Sequence, residues 1–438
     1  MAVIAPFPGI VFDPTRVDPG LVVTPPYDVI TPDMAEAYYA RHPNNVVRLD
    51  LGRPLPTDTE DDNPHTRAAK YFAAWRAQGV LKQDENPALY VSSHAFSVDG
   101  RPAVRLGLFA AVRLEPPETG VIRPHEQTYS KVKTERLSLM RHTQANFSPI
   151  FALFRDPERD AMAFLSAHAK GEPVLSFTDD AGHGHKLWRM ADPAAVEAAR
   201  ALLAHRVLYI ADGHHRYETA LNYLRELEQA HGTLPGDHPA RYILVCLCSM
   251  RDPGLVILPA HRMLSRLPRG AGEDFFRKAG EYFTIQDVPP GRTTRETAEA
   301  LTAALARYRG RNALAALFPG RSAVLALKPG AAAPLLSDVP GPLRALDVTV
   351  LSRVVFQECL DITPEALDDP SLILHTTRVA EAAEAVASGR QAAAFLLNPV
   401  TIAEVRKVAE AGLTMPRKAT FFYPKVPTGL VFRSLQTG

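Results

Sequence analysis

The segment RVLYIADGHHRYETA, Arg206–Ala220, constrains the fold of this chain most strongly. Arg206–Ala211 is a short continuous apolar run and reads as a buried strand. The run breaks at Asp212-Gly213, and the pattern restarts as a helix from about Tyr217 to Gln229. Polar groups are therefore concentrated at a strand-to-helix junction.

Ala88–Val98 and Val104–Leu114 read as two strands joined by the turn signal Asp99-Gly100. Thr31 as N-cap with Pro32 at the first helical position predicts a helix. It is preceded by LVVTPPYDVI, a short apolar strand running into a Pro-Pro turn with Tyr27 and Asp28 at its tip. Thr66–Gln78 reads as a helix stopped at Gly79. Lys133–Thr143 has helical spacing, and Asn146–Phe154 is apolar enough for a strand. Asp156–Asp192 is less regular and contains the polar loop DDAGHGH. Tyr242–Met250 is strand-like. Beyond Arg262, alanine-rich helices (about Thr294–Arg307 and Arg378–Ser388) alternate with strands (about Ala323–Leu327 and Ala393–Leu397). The tail KATFFYPKVPTGLVF reads as a terminal strand pair.

At 438 residues the chain is long enough for two to four domains. Its 49 Lys+Arg against 48 Asp+Glu leave a formal charge of +1, which argues against a dedicated nucleic-acid binder. Three cysteines exclude a disulfide framework. Cys246 and Cys248 share one face of a predicted strand and read as buried packing. The N-terminus lacks a charged leader, and no apolar run approaches the roughly 18 residues of a membrane span. A cytoplasmic protein without a membrane partner is the expectation.

ADGHHRYETA carries the strongest chemical signal. A helix start offers backbone N–H groups and the positive end of the helix dipole, which together favour an anion. Gly213 lets the main chain bend close to a ligand. Arg216 can grip phosphate oxygens, and His214 and His215 add donors whose charge adjusts near neutral pH. A plain helix cap would need Asp212 alone and leaves the two histidines and the arginine unexplained. RPHEQT supplies Glu126 as a candidate general base, with His125 either orienting that carboxylate or contacting phosphate, and Arg123 as a candidate phosphate contact. A solvated loop explains that segment equally well. Asp28 reads as a substrate or magnesium contact or as a simple cap. Lys418 and Lys425 lie on an aromatic strand from which a lysine can reach into a pocket, although edge lysines also protect against aggregation. His183 and His185 are possible metal ligands, though a mobile surface loop is the cheaper explanation. Walker A, GxGxxG, GxSxG and kinase HRD/DFG signatures are missing.

PPYDVI, NNVVRL, RPHEQT, ANFSPIF, LWR, IADGHHRYETAL, DPGLVILPAHR, LDVTVL, FLLNP and MPRKATFFYPK resemble, in this order, the bacterial and archaeal domain-of-unknown-function family 1015. The likeness runs from PFPGI to TGLVF. More distantly, strand–DGHHR–helix is similar to the phosphate-binding box of the ParB and sulfiredoxin superfamily, which includes ParB-like kinases of free serine. That resemblance implies a ParB/sulfiredoxin-like α+β core at residues 104–260, an N-terminal α/β portion at 1–103 and a C-terminal α/β portion at 261–438. His214 stands where sulfiredoxin carries its nucleophilic cysteine, so sulfinic-acid reduction is not implied. No helix-turn-helix pattern accompanies the box.

The resemblance implies an enzyme: a kinase-type phosphotransferase using ATP or ADP with magnesium on a small hydroxyl substrate, free L-serine first. Glu126, Asp212, His214, His215 and Arg216 would be catalytic. Gly213, His214, His215, Arg216, His125 and Arg123 would hold phosphates, and Asp212 would place magnesium or the substrate ammonium. Tyr27, Asp28, Asn146 and Lys418 would complete the substrate pocket. A phosphoester hydrolase such as a phosphoserine phosphatase, or a nucleotide-binding switch without turnover, are the alternatives.

Overall fold

The computed structural model describes residues 1–128 and 130–437. By internal contacts the chain forms two compact units, Met1–Val256 together with Pro424–Gly438, and Ile257–Tyr423. The fold is mixed α+β.

The first unit is built on a nine-stranded sheet. Its strands are β1 (Ile4–Ala5), β2 (Leu89–Val98), β3 (Arg101–Arg113), β4 (Ile122–Arg123), β5 (Ile150–Phe154), β6 (Leu175–Thr178), β7 (Gly184–Met190), β8 (Leu208–Asp212) and β9 (Tyr242–Ser249). The order across the sheet is β4-β8-β5-β9-β3-β2-β7-β6, and β1 pairs with the far end of β3. β8 runs parallel to β4 and antiparallel to β5, while β9 runs parallel to β5 and antiparallel to β3. Val98 pairs with Arg101, leaving Asp99 and Gly100 as a two-residue loop with φ of 50° and 75°. Two consecutive left-handed residues match the twist of the flanking strands, which is why DG marks this hairpin. Because β3 pairs on both sides, a boundary at 103/104 falls inside one continuous sheet.

Four longer helices matter for the site and the core: α1 (Pro64–Ala77), α2 (Ser130–Thr143), α3 (Pro193–Leu203) and α4 (His214–His231). Leu203, Leu208, Ile210, Tyr217, Leu221 and Leu247 belong to the main apolar core between helices and sheet. A second core gathers Phe12, Phe72, Trp75, Phe147 and Phe432. It draws the chain's last residues in, where Arg433 and Ser434 pair with Asn146 and Ala145.

Several elements differ from the sequence reading. Leu21 and Val22 belong to a single helical turn, Pro19–Val22, rather than to a strand, because Asp18 accepts from Gly20 N and Pro19 presets the first helical position. α4 begins at His214, three residues before the expected start; Gly213 adopts φ 91° and its carbonyl already accepts from Tyr217 N at 3.0 Å. Asp156–Asp192 holds a helix (Asp160–His168) and the β6–β7 hairpin. The tail strands do not pair with each other: Phe421–Tyr423 lies in the second unit and Arg433–Ser434 in the first.

The second unit is a six-stranded antiparallel sheet of β10 (His261–Leu264), β11 (Phe283–Asp287), β12 (Ala313–Phe318), β13 (Arg321–Leu327), β14 (Ile373–Thr376) and β15 (Ala393–Leu397). Its order is β11-β13-β12-β15-β10-β14, with helices Thr294–Ala306 and Val379–Ala387 packed on it. No helix among the described residues is long and apolar enough to cross a membrane.

Phe432 is fully buried, with ring centroids 5.6 Å from Phe12 and 5.7 Å from Phe147. Phe432→Ala should therefore cost about 3–5 kcal/mol of unfolding free energy in a denaturant titration. A change below about 1 kcal/mol would mean that the tail does not anchor the first unit.

Candidate functional site

The site grows from the end of β8. Opposite β5 the register shifts between Ile210 and Asp212, a bulge that re-aims the last residue of the strand. Gly213 then turns the chain into α4. A Cβ on Gly213 would lie 3.0 Å from the Arg216 guanidinium, so glycine is needed here for space as well as for its positive φ. The α4 N-terminus has no side-chain cap.

Asp212 is buried and held by two cations. Arg216 Nη2 donates to its Oδ2 at 2.7 Å, and Lys425 Nζ bonds its Oδ1. These charges keep the Asp212 carboxyl below its ordinary pKa although burial alone would raise it. Arg216 Nη1 donates to Ser148 Oγ and to the Pro149 carbonyl at 2.5 Å. The network continues from Ser148 to Thr428 Oγ1 at 3.1 Å, then to Asp50 at 3.3 Å, and Arg136 Nη1 meets Asp50 at 3.0 Å. The Arg136 guanidinium lies 4.0 Å from the Tyr27 ring centre. Protein crowding pushes the Tyr27 hydroxyl up to about 12, against the pull of Arg216 and Arg136. Asp28 retains exposed surface, yet crowding first and the Asp212 charge second raise its carboxyl pKa.

Beside this network lies an imidazole–carboxylate pair. The backbone N–H of His125 donates to His214 Nε2 at 3.2 Å. In the neutral ring the proton then sits on Nδ1, which faces Glu126 Oε2 at 3.6 Å. The His125 and His214 rings meet edge to face at 4.7 Å. Burial drives both imidazoles toward neutrality, His125 down to about 4 and His214 well below its ordinary value. Glu126 remains partly exposed, its side chain 31% accessible.

The structure thus brings Glu126, His125, Asp212, Gly213, His214 and Arg216 together, and Tyr27 and Asp28 sit close enough to feel the charge of Arg216. His215 follows in the same helical turn, half-buried, and its charge acts on Glu218, which takes bonds from Thr128 and Lys133. Arg123 folds back so that its Nε donates to Gly120 O at 3.1 Å. Asn146 Oδ1 is occupied by Leu244 N and Arg433, a structural duty between strands. Lys418 lies in the second unit at φ 52°, where its carbonyl accepts from Arg262. Sequence reasoning weighed Lys425 both as a lysine reaching into a pocket and as an edge lysine, and did not single out Asp50, Arg136, Ser148 or Thr428. A charged residue inside the apolar tail string was the one available signal for Lys425.

Fold and site together define an α+β protein whose first unit ends a sheet strand in a buried acid–base network at a helix start. The chain belongs to the family described as protein of unknown function DUF1015, whose model matches residues 4–349. FLLNP and MPRKATFFYPK lie beyond that match. Among solved structures, the chain is similar to a free serine kinase in complex with AMP, at 14% identity and TM-score 0.34, covering 72% of this chain and 86% of that one. It is also similar to a conserved hypothetical protein from Pyrococcus furiosus, at 13% identity and TM-score 0.34, covering 75% and 95%. SbnI with a C-terminal truncation from Staphylococcus aureus gives 11% identity and TM-score 0.34, covering 73% and 85%. No curated protein matches the sequence.

A pH dependence follows from the buried imidazoles. With His125 and His214 titrating lower when folded than the ordinary 6.5, the unfolded chain binds more protons between about 6.5 and 4. Stability should therefore fall as pH drops through that window. His214→Gln keeps an acceptor for the His125 N–H but cannot titrate, so it should flatten the slope by up to one proton, about 1.4 kcal/mol per pH unit. Denaturant titrations at pH 7, 5.5 and 4.5 (values chosen to bracket the window of roughly 6.5 to 4) read this directly. An unchanged slope would mean that His214 is already protonated in the fold.

Proposed function

We propose that the first unit is a nucleotide-dependent phosphotransferase acting on a small hydroxyl metabolite, with free L-serine as the acceptor suggested by the DGHHR resemblance. The observation that carries this reading is the partly exposed carboxylate of Glu126, 3.6 Å from His214 Nδ1 beside a helix start that has no side-chain cap among the described residues and whose flanking cations are buried. Phosphoryl transfer asks a protein mainly to position reactants and neutralise charge. The first turn of α4 offers backbone N–H groups and a positive dipole end. Among the described residues Arg216 Nε is buried with no hydrogen-bond partner, and a phosphate oxygen would supply it with an acceptor.

In this scheme Glu126 takes the proton of the substrate hydroxyl as its oxygen bonds to phosphorus and the bond from phosphorus to the nucleotide oxygen breaks. His214 orients that carboxylate. Both Asp212 oxygens already carry a cationic partner, so magnesium falls to Asp28, and Asp212 serves to fix Arg216 and Lys425. Hard carboxylate oxygen suits magnesium, which would neutralise phosphate charge when bound.

The test supplies ATP or ADP, magnesium and a panel of hydroxyl amino acids and polyols, and follows phosphorus NMR for a new phosphomonoester. O-Phosphoserine is the expected product. Glu126→Gln should lower kcat by about 10²–10⁴-fold with little change in nucleotide binding. Nucleotide binding without any phosphorylated acceptor would leave a switch rather than a kinase. Phosphate release from phosphoserine without nucleotide would make the site a hydrolase.

A further inference from the structure

DDAGHGH forms the tip of the β6–β7 hairpin, away from any role in the scheme above. Asp179 N donates to the His183 carbonyl at 2.9 Å and Gly182 N to the Asp179 carbonyl at 3.0 Å. This tight turn, with Gly182 at φ 76°, sets Asp179 and His183 side by side. β7 then pairs with β2 so that His185 lies directly opposite His94, and side chains directly opposite in an antiparallel pair share a face. Residues 85 or more positions apart in sequence thus form one cluster. His94, His183 and His185 are all buried, while Asp179 keeps 29% of its side chain accessible.

From this arrangement we infer that His94, Asp179 and His183 form a binding site for a divalent transition metal, zinc by its donor set. Their ligand atoms all lie within 4.8 Å of one another. His94 Nε2 and His183 Nδ1 are 3.2 Å apart, and His183 Nδ1 and Asp179 Oδ2 are 3.8 Å apart. Ligands about 2.0–2.1 Å from a tetrahedral zinc stand about 3.3 Å from each other, so small side-chain rotations close the site. Two imidazoles and one carboxylate suit zinc better than magnesium or calcium, which prefer oxygen alone. Three protein ligands leave a fourth position for water, reached from the exposed side of Asp179.

The surroundings already have the form of a supporting shell. Asp179 Oδ1 accepts from Ala181 N and His183 N, both at 2.9 Å, which leaves Oδ2 to face the histidines. His185 Nε2 bonds that same Oδ2 at 2.8 Å, with its ring stacked on Phe177 at 4.9 Å. Ligating carboxylates in metal sites are themselves held by outer hydrogen bonds of this kind. Arg105 pairs with His94 on β3, but its guanidinium stands 4.7 Å from the Phe151 ring on β5. Its charge nonetheless still reaches His94 and His183.

The test uses the full chain, stripped with a chelator and titrated with zinc by calorimetry and with cobalt by visible absorption. One equivalent should bind, and four-coordinate cobalt should give an intense d–d band. Asp179→Asn and His94→Gln should each abolish stoichiometric binding, while His185→Phe should weaken it about 10–100-fold. Circular dichroism on each variant separates lost ligation from lost folding, and the wild-type titration needs no variant. Wild-type protein that takes up no zinc, or binding unchanged in both ligand variants, overturns the assignment.

Discussion

Burying the Asp212 carboxylate is the constraint on which the first unit depends. An isolated buried charge is prohibitive, and a buried pair survives only with good geometry and further hydrogen bonds. Here one carboxylate carries Arg216 on one oxygen and Lys425 on the other. Lys425 arrives from 213 residues further along the chain, so the charge ties a strand end, a helix start and the C-terminal tail into one object. Removing one partner of such a group typically costs about 3–5 kcal/mol, because the remaining charge stays buried. The same logic spreads outward through Ser148, Thr428, Asp50 and Arg136, each joined to the next by a hydrogen bond.

This network changes the meaning of Arg216. From sequence it is a free guanidinium at a helix start, ready to grip phosphate. In the fold, Nη1 and Nη2 are committed to Ser148, Pro149 and Asp212. An arginine so held is a fixed positive charge rather than a mobile clamp. Its truncation would disturb folding as well as binding, which separates it from Glu126, whose carboxylate is partly solvated and expendable to the core. Fixed dipoles and charges that need no rearrangement during reaction are the efficient way to stabilise a transferring phosphoryl group.

What the sequence made legible was local chemistry. Asp99-Gly100 identified its hairpin because only certain residues tolerate two left-handed positions. Thr31-Pro32 marked a helix start, and Thr31 does accept from Met34 N. The α4 start was placed late because DGHHR looks polar enough for a loop, whereas Gly213 absorbs the turn and frees His214 to be helical. Asp156–Asp192 looked irregular because its hairpin carries histidines and glycines where strands usually show β-branched residues. Lys425, Asp50 and Arg136 belong to the site only through long-range pairing, and no periodicity or spacing reports on pairing of that kind. Asn146 shows the converse: its string is distinctive, but its amide is spent on Leu244 and Arg433.

The division of labour between rigid and accessible parts completes the picture. Asp212, His214 and Arg216 lie on a strand end and a helix turn, locked by backbone bonds and core packing. Glu126 lies outside both, after β4 and before α2, where the chain is not held by a strand or helix. In the proposed phosphotransferase, a general base must approach a substrate proton and then release it, so it gains from partial exposure. His214 supplies the link between the two regimes: one ring nitrogen is fixed by the His125 backbone, and the other is turned toward the Glu126 carboxylate. Moving Glu126 into the buried network would expose its carboxylate to the crowding that already raises Asp28, and it would lose its proton less readily. The fold keeps the Glu126 carboxylate at the rim of the charge cluster and buries Asp212 and Arg216 at its centre.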